Sequence, residues 1–357
     1  MALHSSARRA CRVRRYGAFG LVGLAVFAVP ASVGAHERWF VPKDQQTSPE
    51  WDLLLSLPVL IAVMASLLVV SALTVAERVL GDPLWPRPTV LQGAEPSAAA
   101  ILGVQVATTM IFSASRLTLF VPNIELPENA LGVAIAGVVL LAAFSFITGV
   151  LARVGAAITV GLVVLCLAFA PWYEVLEQLL FVGIALYLVA LGRGVLLSGR
   201  QPERWDLGVV ERLVPHALTI LRVTLAISLI TLAFTEKLIA PDLGLAFLRE
   251  YPDFNIARLV GLDWFTDRRF VYAAGIVECV SGAALLSGRL PRVVILALWL
   301  PFNAGIVFLP PAELIGHLPV LAIMYVLLVR GPQGIPAPGE ADGWATGEGK
   351  RPSPVLG

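Results

Sequence analysis

The chain has 357 residues, 57% of them hydrophobic and 14% charged, with a formal net charge of +1. A mean hydropathy of +0.81 on so little charge excludes an ordinary soluble domain and points to an all-α, polytopic membrane protein. No basic patch interleaved with aromatics is present, so no nucleic-acid partner is expected. The three cysteines, Cys11, Cys166 and Cys279, are too far apart for a C-x-x-C redox pair or zinc-ligand spacing.

In chain order, Arg8, Arg9, Arg12, Arg14 and Arg15 precede an apolar run from Gly17 to Val29, then Pro30 and Ser32-Val33-Gly34-Ala35. This order predicts a signal peptide over 1–35, cleaved after Ala35, because the apolar core is short for a span. The alternative is an uncleaved anchor helix. With cleavage the mature chain begins at His36, and residues 36–96 comprise an exposed segment, a first transmembrane helix from Asp52 to about Val75, and a proline-rich linker.

Further spans are predicted at Ser97–Ser115, Ala130–Gly149, Val154–Ala170, Val175–Leu191, Pro215–Thr235, Phe270–Ser287, Val293–Leu309 and Leu314–Val329. Arg153, Arg289 and Arg292 fall in tight turns that the positive-inside rule assigns to the cytoplasm. This puts the mature amino terminus outside a bacterial-type inner membrane. Residues 197–214 read as a cytoplasmic linker, and the Gly- and Pro-rich residues 331–357 as a disordered cytoplasmic tail.

The chain is duplicated. At an offset of 139, Gly149, Leu151, Arg153, Phe169, Pro171, Glu174 and Gly192 fall on Gly288, Leu290, Arg292, Phe308, Pro310, Glu313 and Gly331 without a gap. The preceding helix aligns at an offset of 119, pairing Leu102, Ala114, Leu119 and Pro122 with Leu221, Ala233, Leu238 and Pro241. The larger offset follows from an insertion in the second copy, between Asp242 and Arg269. Residues 97–196 and 215–330 are thus two four-helix repeats. Four is an even number, so both enter the membrane in the same sense.

The duplication also sorts candidate residues. Arg153 and Arg292 recur, as do Glu174 and Glu313, and topology or helix-start electrostatics accounts for them. Arg222, Glu236, Lys237, Glu278 and His317 instead replace Gly103, Leu117, Thr118, Val139 and Gln178. Glu278, mid-span, needs a partner, since an acid there costs about 2.5–3.5 kcal/mol on insertion scales; Arg222 on the preceding helix is the expected one. Glu236 and Lys237 read as an acid and a snorkelling lysine at the surface. Glu313 and His317, four residues apart, share a helix face. A processed His36 offers an amine and an imidazole as a copper chelate, with His317 and Glu313 as further possible metal ligands.

Residues 215–330 resemble the DoxX-like family of four-helix membrane proteins. The likeness rests on Arg222, Lys237-Leu238, Pro241, Glu278 with Gly282, and His317; His36, Trp39 and Phe40 match the opening of a long, duplicated subgroup. Phe234 departs from a position where the family commonly has glycine. The resemblance implies a membrane component of a redox system, possible quinone linkage, a redox partner protein, and Glu278, Arg222, Lys237 and His317 as site residues. A copper-binding protein and a structural partner without a site are the alternatives.

Overall fold

The computed structural model describes residues 37–81, 97–192, 211–304 and 311–331, together with residues 91 and 94. Among these residues the regular structure is helical, with one isolated bridge between Thr118 and Glu125 and no strands. The predicted signal peptide, His36, the linker at 197–210 and the tail beyond 331 lie outside the described residues.

Helix α1 (Leu57–Leu80) is followed by the first repeat: α2 (Ala98–Ser115), α3 (Ala130–Thr148), α4 (Ala152–Leu165), α5 (Trp172–Glu177) and α6 (Leu179–Leu191). The second repeat has α7 (Ala217–Leu232), the insertion helices α8 (Pro241–Glu250) and α9 (Ile256–Leu259), then α10 (Asp267–Ser287), α11 (Pro291–Ala304) and α12 (Pro311–Arg330). Leu57–Val79, Ala98–Ser115, Ala130–Thr148, Arg212–Leu238 and Asp267–Ser287 are long and apolar enough to cross a membrane, while Ala152–Ala168, Leu179–Leu191 and Leu314–Arg330 are shorter apolar helices. The chain is an integral, multi-pass membrane protein. Leu60, Met64, Leu67 and Leu68 on α1, and Leu141 and Phe144 on α3, are exposed because their solvent is lipid.

The duplication is written into the backbone. Helices α11 and α12 reproduce α4 and the α5–α6 pair at the sequence offset: α11 starts at Pro291 where α4 starts at Ala152, and α12 ends at Arg330 where α6 ends at Leu191. Each α3–α4 and α10–α11 turn uses a left-handed glycine and leucine: Gly149 (φ 80°) and Leu151 (φ 53°) recur as Gly288 (φ 68°) and Leu290 (φ 42°). The repeated arginines staple equivalent helices, Arg153 Nε donating to Val189 O at 3.1 Å and Arg292 Nε to Leu328 O at 3.0 Å. Within each repeat neighbouring helices pack in order. Between repeats, α6 lies against α7 and α12 against α2, a pseudo-twofold exchange in which the last helix of each copy covers the first of the other.

Close approach across these interfaces depends on small residues. A side chain at Gly183 on α6 would overlap Thr224 Oγ1 on α7, whereas a Cβ on Gly137 meets nothing within 4 Å. Gly183→Leu is therefore expected to lower the unfolding midpoint of the detergent-solubilised protein, by an overpacking cost of about 1–3 kcal/mol. Gly137→Leu should leave it unchanged. Equal midpoints for the two variants would contradict this packing.

Candidate functional site

One end of the bundle holds most of the buried charge among the described residues. There α7 continues through a π-helical turn, Ala233–Leu238. The wider turn carries Thr235, Glu236 and Lys237 inward, all buried. Glu236 and Lys237 are therefore not surface residues with a snorkelling lysine: Lys237 is 1% exposed and Glu236 is fully enclosed. The cover is supplied by α8, α10 and the segment after His36.

That segment forms a short 3-10 turn, Glu37–Trp39, and docks into the bundle. Its backbone begins by donating Glu37 N–H to Glu236 Oε2 at 2.8 Å. Lys237 Nζ lies 3.1 Å from Glu278 Oε2 and 3.6 Å from Glu37 Oε1. Arg38 Nε is 3.8 Å from Glu236 Oε1, its Nη1 is 3.6 Å from Glu174 Oε1, and its Nη2 donates to Thr235 O at 3.3 Å. The Arg38 guanidinium also sits over the Tyr173 ring, 5.9 Å from its centroid. From the first repeat, Glu177 Oε1 accepts from Thr235 Oγ1 at 2.6 Å, and Glu174 Oε2 accepts from Asn123 Nδ2 at 2.7 Å. The cluster thus joins both repeats and the amino-terminal segment.

Two glycines make room for this segment. A Cβ on Gly244 would stand 2.6 Å from Val271 Cγ1 and 2.9 Å from Glu37 Oε2, and one on Gly316 would overlap the Trp39 ring. Beyond them, Phe40 packs edge-on against Phe247 and Tyr251.

Burial pushes the Glu37 carboxyl up to about 8; Lys237 opposes that rise, and Glu236 and Glu278 add to it. Burial alone would lower Arg38, but the carboxylates of Glu236, Glu177 and Glu174 outweigh it and hold Arg38 above its usual value.

Of the residues singled out from sequence, Lys237 and Glu278 are drawn together in the cluster. Arg222 is not the partner of Glu278: it donates to Leu285 O, and to Leu286 O at 2.7 Å. Those carbonyls lie at the other end of α10, about 10 Å along the helix from Glu278. The reason is geometric. Arg222 is close to the last-turn carbonyls of α10, which lack intrahelical donors, whereas the π-turn delivers Lys237 to Glu278. His317 is buried on α12, one residue beyond Gly316. Glu313 belongs to the first turn of the same helix, but its side chain and His36 lie outside the described residues. Among the described residues, no group of three or more His, Cys, Asp or Glu side chains is arranged to hold a metal ion.

Glu37, Arg38 and Glu177 join the site without having stood out in the sequence, and Glu174 does more than serve helix-start electrostatics. The Glu174 and Glu177 spacing, which places two acids on one helix face ahead of an apolar run, is the signal that marks them. Comparison of the chain with family models, curated proteins and solved structures finds no significant match.

A raised carboxyl pKa means that the folded state binds the proton more tightly than the unfolded chain. The stability contributed is complete below 4.5 and is lost as pH rises through about 8. The unfolding midpoint should therefore fall across that window, and Glu37→Gln should flatten the fall. A midpoint profile with the same slope in both proteins would contradict the assignment.

Proposed function

We propose that the protein is an integral membrane component of a redox system, with a DoxX-like second repeat, and that the buried charge cluster is its working site. In this reading the cluster takes up and releases protons for a quinone-linked reaction, and a redox partner protein supplies the electrons. The Glu37 end faces outside a bacterial-type inner membrane, and the Arg330 end faces the cytoplasm.

One observation carries the proposal. The first repeat has Val139 on α3 where the second has Glu278 on α10, and it has Leu117 and Thr118, in the turn after α2, where the second has Glu236 and Lys237 on the π-helical turn. Val139 is fully buried, and Thr118 is satisfied internally by donating to Ser113 O at 3.1 Å. The α2–α3 pair therefore packs with an apolar residue at the position of Glu278. A buried ion pair is weak evidence for stability and often costs more than an apolar pair of similar shape, so its presence in one copy alone supports a role beyond folding.

The charge balance indicates which role. Five buried carboxylates, Glu37, Glu174, Glu177, Glu236 and Glu278, face two cations, Arg38 and Lys237, among the described residues. Acid groups thus outnumber the cations that could pair with them. Quinone reduction consumes electrons and protons in equal number, and a proton store beside the ring is the part of that chemistry these residues can supply.

Titration of the full-length protein in lipid nanodiscs with a short-chain quinone, followed by tryptophan quenching, tests the reading. Saturable binding is expected, weakened about tenfold or more by Glu278→Gln, with Glu278→Asp recovering part of it. Absence of saturable binding, or equal affinity in all three proteins, would overturn the quinone assignment.

A further inference from the structure

The pseudo-twofold gives the charge cluster a counterpart. At an offset of 119, Thr235, Ile239 and Pro241 correspond to Arg116, Phe120 and Pro122; at an offset of 139, Glu177 corresponds to Gly316. Equivalent hydroxyls cross the two interfaces. Ser228 Oγ on α7 accepts from Leu180 N at 3.0 Å, and Thr109 Oγ1 on α2 donates to Ile315 O at 2.7 Å.

At one end of the α6–α7 interface, Thr235 on the π-helical turn donates to Glu177 on α5 and accepts from Arg38. The counterpart of that interface, α12 against α2, retains a cavity of about 190 Å³. The Glu37–Phe40 segment borders both, with Glu37 and Arg38 in the charge cluster and Trp39 and Phe40 in the cavity wall.

The cavity's chemistry differs from that of the cluster. Trp39, Phe40, Phe112 and Phe120 form its walls, with Thr109 and Ser113 contributing hydroxyl-bearing side chains. Arg116 is the one charged residue among those described as lining it. Its side chain is exposed and its guanidinium lies 4.4 Å from the Phe112 centroid. No carboxylate pairs with Arg116 among the described residues. An aromatic enclosure offers faces and edges to a flat ring, and a guanidinium offers paired donors to a carboxylate. The volume corresponds to about six water molecules of liquid, below the range of drug-sized pockets, so it suits a single ring and not an extended chain.

We propose that this cavity is a binding site for a small planar anion, a single unsaturated ring bearing a carboxylate, with the ring against Phe112, Phe120 and Trp39 and the carboxylate on Arg116. The site is independent of the quinone reading: it uses different residues, a different interface and a different ligand.

Isothermal titration of the full-length protein in detergent with sodium benzoate is the test. Saturable binding is expected, and Arg116→Gln, at an exposed helix end where folding is unaffected, should weaken it about tenfold or more. Phe112→Ala should also weaken it. Cyclohexanecarboxylate, which has the charge without the flat ring, should bind clearly less tightly, and palmitate should compete poorly. The proposal is overturned if the folded protein shows no saturable benzoate binding, if Arg116→Gln binds as the parent does, or if cyclohexanecarboxylate or palmitate matches benzoate.

Discussion

Lys237 carries an ammonium group into a bundle end where it is 1% exposed, and the arrangement of that end follows from neutralising it. An isolated buried charge is too costly to persist, so it must be met by opposite charge held at close range. Glu278 on α10 supplies one carboxylate. Glu37 supplies another, from a segment that precedes the first repeat altogether. That second contact gives the amino-terminal segment an electrostatic reason to dock, and once it docks, Arg38 follows and must find its own acids in Glu236 and Glu174. A chain of obligatory pairings therefore links α10, the π-helical turn after α7, the amino-terminal segment and α5.

The duplication makes this dependence visible, because the first copy ends α2 at Ser115 and turns through Leu117 and Thr118, where the second continues into the π-helical turn that carries Glu236 and Lys237. Arg153 and Arg292 make the same bond in both copies, and the left-handed turns recur with them; these features belong to the scaffold. The cluster and the aromatic cavity occupy equivalent interfaces and have diverged completely, one carrying ion pairs and the other walled by rings. The single segment from Glu37 to Phe40 serves both, so a change that dislodges it would disturb two sites through one loss of packing.

The apolar spans are legible in the sequence because a membrane demands long runs without charge, and the long apolar helices fall within a few residues of their expected places. The repeat is legible because Gly149 and Gly192 take left-handed backbone that suits glycine and Arg153 bonds a carbonyl of the neighbouring helix, roles that fix their identity. The pairings are not. A regular helix would leave Lys237 at the surface, and the π-helical turn that carries it inward has no signature in the sequence. Depth alone matches Arg222 to Glu278, yet the bare carbonyls at the end of α10 compete for its guanidinium. Arg38 and Glu174 are remote from each other in the chain, and no local pattern predicts that a polar segment will fold back between two repeats.

Mutual neutralisation of Lys237 and Glu278 is measured directly by a double-mutant cycle on unfolding free energy, using Lys237→Met, Glu278→Gln and the double variant. Each single change leaves a buried group short of its partner and should cost on the order of 3–5 kcal/mol, whereas removing both should cost far less than the sum. Single effects that simply add would contradict this dependence, and would mean that the two side chains do not rely on each other.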